Sequence, residues 1–205
     1  MKQYRGCSRL VYSIETEGED GTITYGDVKQ LAPVKSVSRD ITSDNEAVYA
    51  DNTAQQRVYG ATSITRSFET TRIAPEVVAE LLGDTTLEIG TAKAHLTASN
   101  GSTKPYIAVG YALYDGDDTT PCEVVWTYHA LVNSISASSS TMDDGTGSEG
   151  QTVEITSFAP KKPWTTTGKR NLDLGLPIDS TNATMVDKFF AQVVTPDNAS
   201  TTLGA

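Results

Sequence analysis

Two histidines, two cysteines and a surplus of carboxylates are the side chains of this 205-residue chain that could do chemistry. Imidazoles suit proton transfer near neutral pH, and His95 and His129 are far apart with no third residue at metal-ligand spacing. His129 follows Tyr128 in a strand-like run and reads as a hydrogen-bonded structural histidine rather than a base. His95 sits among small polar residues and is expected to be solvated. Cys7 and Cys122 lack redox or metal spacing and read as reduced side chains. Asp115-Gly116-Asp117-Asp118 and Asp143-Asp144-Gly145 lack the rest of a calcium loop and read as turns. No G-x-S-x-G, P-loop, H-E-x-x-H or strand-borne G-x-G-x-x-G occurs. The expectation is a protein without a catalytic site, a metal or a cofactor.

Charge narrows the partners. With 16 basic and 26 acidic residues the formal net charge is −10, so no basic surplus is available to grip nucleic acid through its phosphates. No run approaches the roughly 18 apolar residues of a membrane span, and the Met1-Lys2-Gln3-Tyr4-Arg5 start lacks the apolar core of a signal peptide. Synthesis in the cytoplasm is expected.

The elements that would position these side chains are mostly strands, in keeping with plentiful Thr, Ser, Val, Tyr and Gly. Leu10–Ile14 and Thr22–Tyr25 read as an N-terminal hairpin with an acidic tip, and Val34–Ile41 as a further strand. Thr42–Gly60 is polar, interrupted by Val48, Tyr49, Val58 and Tyr59, and reads as a long functional loop. Ala61–Thr70 resumes strand character. Pro75–Leu82 is one amphipathic helix, with Pro75 suited to the first position and Gly83 to the left-handed end.

Tyr106–Tyr114 and Cys122–Leu131 form the strongest strand pair, Ala137–Gln151 is low-complexity, and Thr152–Ala159 alternates again. Regular spacing of strands and turns predicts an antiparallel β-sandwich or barrel over residues 1–165, flanked by the one short helix. A composition break at Pro160–Trp164 opens a C-terminal extension, 166–205. It holds Leu172, Leu174 and Leu176, then a short helix that Thr184 could cap, with Val186, Phe189, Phe190 and Val193 on its apolar face.

The order of these pieces over most of the chain resembles the major tail protein, or tail tube protein, of long non-contractile bacteriophage tails. The residues carrying the resemblance are Thr24-Tyr25-Gly26 leading into Leu31–Val34, the Glu46–Asn52 segment, the Pro75–Leu82 helix closed by Gly83, Pro105–Tyr111, Val125–Tyr128, and the Phe189-Phe190 to Pro196 ending. The Ala137–Gly150 loop and the tail after Pro196 depart from it.

The resemblance implies a virion structural protein that forms hexameric rings, stacked into a tube around a tape-measure protein. The tube would end in tail-tip and tail-terminator proteins, and DNA would pass along its lumen without specific binding. Assembly in the host bacterial cytoplasm and a final place in the virion tail follow. On this reading Val48, Tyr49, Val58, Tyr59, Phe189 and Phe190 are the expected contacts between subunits or rings. Glu15, Glu17, Glu19, Asp20, Asp117 and Asp118 are the expected lumen charges that repel the phosphate backbone. Two other readings stay open here. One is the inner tube of a contractile tail or secretion machine. The other is an adhesive, sugar-binding sandwich with Tyr106, Trp126 and Trp164 exposed.

Overall fold

The computed structural model describes residues 4–50, 53–98, 103–116, 119–138 and 150–204, with the side chains of 44–50 and 53–59 outside the description. The chain is mainly β. Strands β1 (Gly6–Glu17), β2 (Ile23–Tyr25), β3 (Lys29–Gln30), β4 (Val34–Ala50) and β5 (Thr53–Thr70) precede helix α1 (Pro75–Leu82). Then come β6 (Thr85–Ile89), β7 (Ala92–Leu96), β8 (Ile107–Tyr114), β9 (Glu123–Ala137) and β10 (Gln151–Ser157). Strand β11 (Asp173–Pro177) and helices α2 (Met185–Ala191) and α3 (Ala199–Leu203) complete the order.

Among the described residues the main sheet runs β2-β1-β8-β9-β10-β5-β4, with β3 added to β1 and β11 added to β9. All its pairings are antiparallel. The sheet curls, so that its last strand, β4, comes alongside β1.

Two residues with positive φ make that curl. Arg9 (φ 54) and His129 (φ 47) sit where β1 and β9 shift register against β8. Each is a bulge, an extra residue that bends its strand and increases the local twist. The bulge also switches which parity faces inward. Before His129, Val124, Trp126 and Tyr128 face the outer cluster; after it, Ala130 and Val132 face the inner core.

The inner core gathers Leu10, Tyr12, Phe68, Ile107, Val109 and Val153 with Leu81 of α1. The helix begins at Pro75 and ends at Gly83, whose φ of 69 is the left-handed conformation glycine tolerates. Its Glu80 accepts from the Tyr12 hydroxyl at 2.6 Å and from Lys29 Nζ at 2.5 Å, which ties the helix to β1 and β3. Burial first, and then the Glu80 carboxylate, push the Tyr12 hydroxyl far above its ordinary range, so it remains a donor.

The outer face of β8 and β9 is covered by the C-terminal segment. Trp126, Tyr128, Trp164, Val186, Phe189 and Val194 form one buried cluster there. Trp126 Nε1–H donates to the Phe189 carbonyl at 2.9 Å, and β11 pairs with the first half of β9. The C-terminal segment thus packs on the main sheet through Val186, Phe189, Val193 and Val194. Helix α2 lies where Val186 and Phe189 predict it, although Thr184 makes no side-chain cap.

Three features differ from the sequence reading or go beyond it. Thr42–Gly60 is not a loop: β4 and β5 pair through Thr42↔Ser63 and Asn45↔Tyr59 to Ala50↔Thr53. Its apolar residues fall as the adjacent pairs Val48-Tyr49 and Val58-Tyr59 among polar ones, so the stretch carries no period-2 signal. Second, the segment after α1 holds the β6–β7 hairpin, with Gly90 at φ 63 in its turn. Third, His95 is not solvated; its side chain is 20% exposed and its Nε2 lies 2.7 Å from Asp84 Oδ2. The low-complexity loop lies almost wholly outside the described residues.

Gly110 is the tightest point of the β8–β9 pair. A Cβ there would meet three ring carbons of Trp126 at 3.0 Å, and Trp126 is fully buried. Gly110→Val is expected to cost about 1–3 kcal/mol of unfolding free energy in a urea titration through overpacking. Gly6→Ala, whose methyl would meet only Tyr114 Cβ at 3.7 Å, is expected to change stability by less than about 0.5 kcal/mol.

Candidate assembly surface

Both histidines are paired with carboxylates of their own chain. His129 Nδ1 is 2.6 Å from Glu15 Oε1, and their side chains are 7% and 1% exposed. Tyr25 donates to the other oxygen, Glu15 Oε2, at 3.1 Å, and Tyr106 stacks on the imidazole with ring centres 3.9 Å apart. Burial, then the nearby carboxylate, raise the Tyr25 hydroxyl well above its ordinary value and keep it a donor. The group braces the bulge at His129 against β1 and β2, and no face of it is open to a substrate. Among the described residues no cluster of His, Cys, Asp or Glu could hold a metal ion.

Glu15 is therefore not a lumen charge: its carboxylate is buried against His129. The other acidic residues of the first hairpin sit at its exposed tip. Glu17 pairs with Lys161 at 2.9 Å and Asp20 with Lys162 at 3.2 Å, while Glu19 is exposed. The Thr22 hydroxyl and N–H, then Lys162, hold the Asp20 carboxyl down at about 2. Asp20 is thus ionised at any physiological pH. Asp117 and Asp118 lie outside the described residues.

Phe189 also needs correction as a subunit contact. It is fully buried in its own chain, packed against Trp126 with ring centres 6.3 Å apart. Phe190 beside it is half-buried, packs on Trp126 and lies 5.7 Å beneath the Arg9 guanidinium. The aromatic residues that would stack on a sugar are taken as well: Trp126 is fully buried, Trp164 is 6% exposed and Tyr106 covers His129.

What stays open is strand. Strand β10 reaches only as far as Ile64 on β5, so beyond the Ile41↔Ile64 pair β4 and β5 continue as a two-stranded ribbon. At ~3.3 Å per residue the ribbon from Thr42 to Ala50 extends about 30 Å. Val48, Tyr49, Val58 and Tyr59 are on its strands, with side chains outside the description. Ile41, at its base, is 53% exposed.

A second open surface escaped the sequence reading. In β6–β7 the pairs Thr85↔Leu96, Leu87↔Ala94 and Ile89↔Ala92 share one face, and Thr86↔His95 and Glu88↔Lys93 share the other. Leu87, Ile89 and Leu96 are 48%, 62% and 46% exposed. The alternation of these residues about Gly90 was the available signal. No helix among the described residues is long and apolar enough to cross a membrane.

His129→Leu is expected to lower stability by about 3 kcal/mol or more in urea, since it leaves a buried carboxylate with one hydroxyl donor. His129→Gln, which restores an N–H, should recover a measurable part of that loss.

No protein-family model matches the sequence, and no curated protein matches it. Solved structures do resemble the chain. One is from the PVC sheath–tube complex of an extracellular contractile injection system in its extended state, 12% identical over 83% of this chain and 90% of that one, with a TM-score of 0.42. Another is the SPP1 tail tube, 11% identical over 91% and 85% of the two chains, with a TM-score of 0.38. Hcp1 from Salmonella typhimurium is 10% identical over 84% and 95%, with a TM-score of 0.36.

Proposed function

We propose that this chain is a structural subunit that self-assembles into a tube, as hexameric rings stacked into the tail of a long non-contractile bacteriophage. The observation that carries the reading is the β4–β5 ribbon, which leaves the main sheet at Ile41↔Ile64 and continues with no third strand paired to it among the described residues. A two-stranded hairpin is marginal in water by itself, and its outer edges are unpaired N–H and C=O groups. Pairing with the sheet of a second copy supplies both the missing partner strand and the missing cover.

A head-to-tail contact of this kind closes into rings, and a second contact that does not close stacks them. The exposed Leu87, Ile89 and Leu96 face is the surface we assign to that second contact. The tube would enclose a tape-measure protein and later DNA, bounded by tail-tip and tail-terminator proteins, and assemble in the host cytoplasm. Within the lumen Glu17, Glu19 and Asp20, with Asp117 and Asp118, would repel phosphate. Catalysis has no part in this role.

The test is to remove the ribbon and keep the fold. A variant joining Thr42 to Ser63 through Asn-Gly, a sequence that favours a two-residue hairpin turn, should give the circular dichroism of the full chain. It should sediment as a monomer at concentrations where the full chain forms large particles. Assembly equal to that of the full chain would overturn the role given to the ribbon.

A further inference from the structure

The ribbon starts beside a pair of like charges. Arg39 of β4 and Arg66 of β5 are cross-strand partners, two residues before the Ile41↔Ile64 pair where the ribbon leaves the sheet. Residues directly opposed on two strands share one face, and like charges in that position destabilise the pairing. Solvent screens only one of the two: the Arg39 side chain is 45% exposed, and that of Arg66 is fully buried. A buried guanidinium is costly unless a carboxylate meets it.

The counter-charge comes from a strand more than a hundred residues later. Strand β10 leaves the edge of β9 at Ser157↔Ala130, and β11 takes up the same edge at Asp173↔Thr127. Ser157 is also the partner of Ile64, so β11 starts near the end of β10 that adjoins the root of the ribbon. Asp173 Oδ2 accepts from Arg66 Nη2 at 2.7 Å and from Arg39 Nη2 at 2.9 Å. Among the described residues it is the only carboxylate that either arginine pairs with. The Tyr111 hydroxyl accepts from Arg66 Nε at 3.1 Å and fixes the plane of the guanidinium, but it brings no charge.

We infer that Asp173 is the positioning residue of the ribbon, a latch that lets β4 and β5 pair firmly at its root only once the C-terminal segment has docked. One carboxylate reconciles two opposed guanidinium groups, and it is carried by the strand on which that segment enters the sheet. A chain cut short before Asp173 keeps an open root and stays out of the polymer. That consequence rests on the part in assembly proposed above for the ribbon, whereas the latch itself is read on single chains.

The experiment is amide hydrogen exchange of the full chain in dilute solution, read at 36–43 of β4 and 62–68 of β5, with 107–113 of β8 as reference. Asp173→Asn is expected to speed exchange at the root by about tenfold or more, and by more than at the reference. Arg66→Met removes the buried member of the like pair, so in its background Asp173→Asn should change that exchange by less than about threefold. A bond of Asp173 that served β11 alone would give the same loss in both backgrounds. If Asp173→Asn by itself fails to fold, a folded double variant with the exchange of Arg66→Met supports the latch, and an unfolded one overturns it. An unchanged root, an equal loss at the reference, or an undiminished effect beside Arg66→Met also overturns it. Sedimentation of the same variants at high concentration tests the assembly reading separately: an opened root with unchanged assembly keeps the latch and overturns the ribbon's role in the polymer.

Discussion

The β8–β9 pair is buried on both faces, and the rest of the molecule is arranged to meet that demand. Its inner face carries Ile107, Val109 and Val125 into the core, and its outer face carries Ala108, Val124, Trp126 and Tyr128. A strand pair apolar on both sides needs cover on both sides. The curled sheet and α1 supply one cover, and the C-terminal segment supplies the other through Phe189, Trp164 and Val194. Gly110 lets Trp126 lie flat against the sheet, so the largest side chain of the outer cluster rests on the smallest residue of β8.

That arrangement explains which parts of the chain are free for other work. The apolar residues of the C-terminal extension, Val186, Phe189, Val194 and Leu203 among them, are consumed by the chain's own sheet. The histidine and glutamate that could have formed a catalytic pair are consumed by the bend at His129, where β9 changes the face it presents. Surface left for partners is backbone more than side chain: the ribbon of β4 and β5, and the β6–β7 hairpin with its apolar face. Charge is sorted as well. The carboxylates at the tip of the first hairpin are partly offset by Lys161 and Lys162.

Much of this was legible where the signal is local. Pro75 and Gly83 bracket α1, alternation marks β8 and the first half of β9, and the spacing of Val186 and Phe189 marks α2. The antiparallel, mainly β class followed from the same cues. Errors arose where the deciding partner is distant in sequence. Glu15 looks like one more acid of a polar hairpin, and only the return of His129 to its side buries it. Phe189 looks like a contact for a neighbour until Trp126 is placed beneath it. Arg66, between Ile64 and Phe68 on the inner face of β5, needs Tyr111 and Asp173 from two other strands. The ribbon failed for a different reason: its apolar residues fall as the adjacent pairs Val48-Tyr49 and Val58-Tyr59, which leaves no period-2 alternation to read.

We propose that this chain builds a hollow polymer of itself. Electron microscopy of the purified full-length protein, concentrated and imaged in negative stain, tests it most directly. The account predicts stacked rings or tubes with a stain-filled lumen and a regular axial repeat. A field of single, compact particles at every concentration, with a monomer mass by light scattering on the same sample, would contradict it.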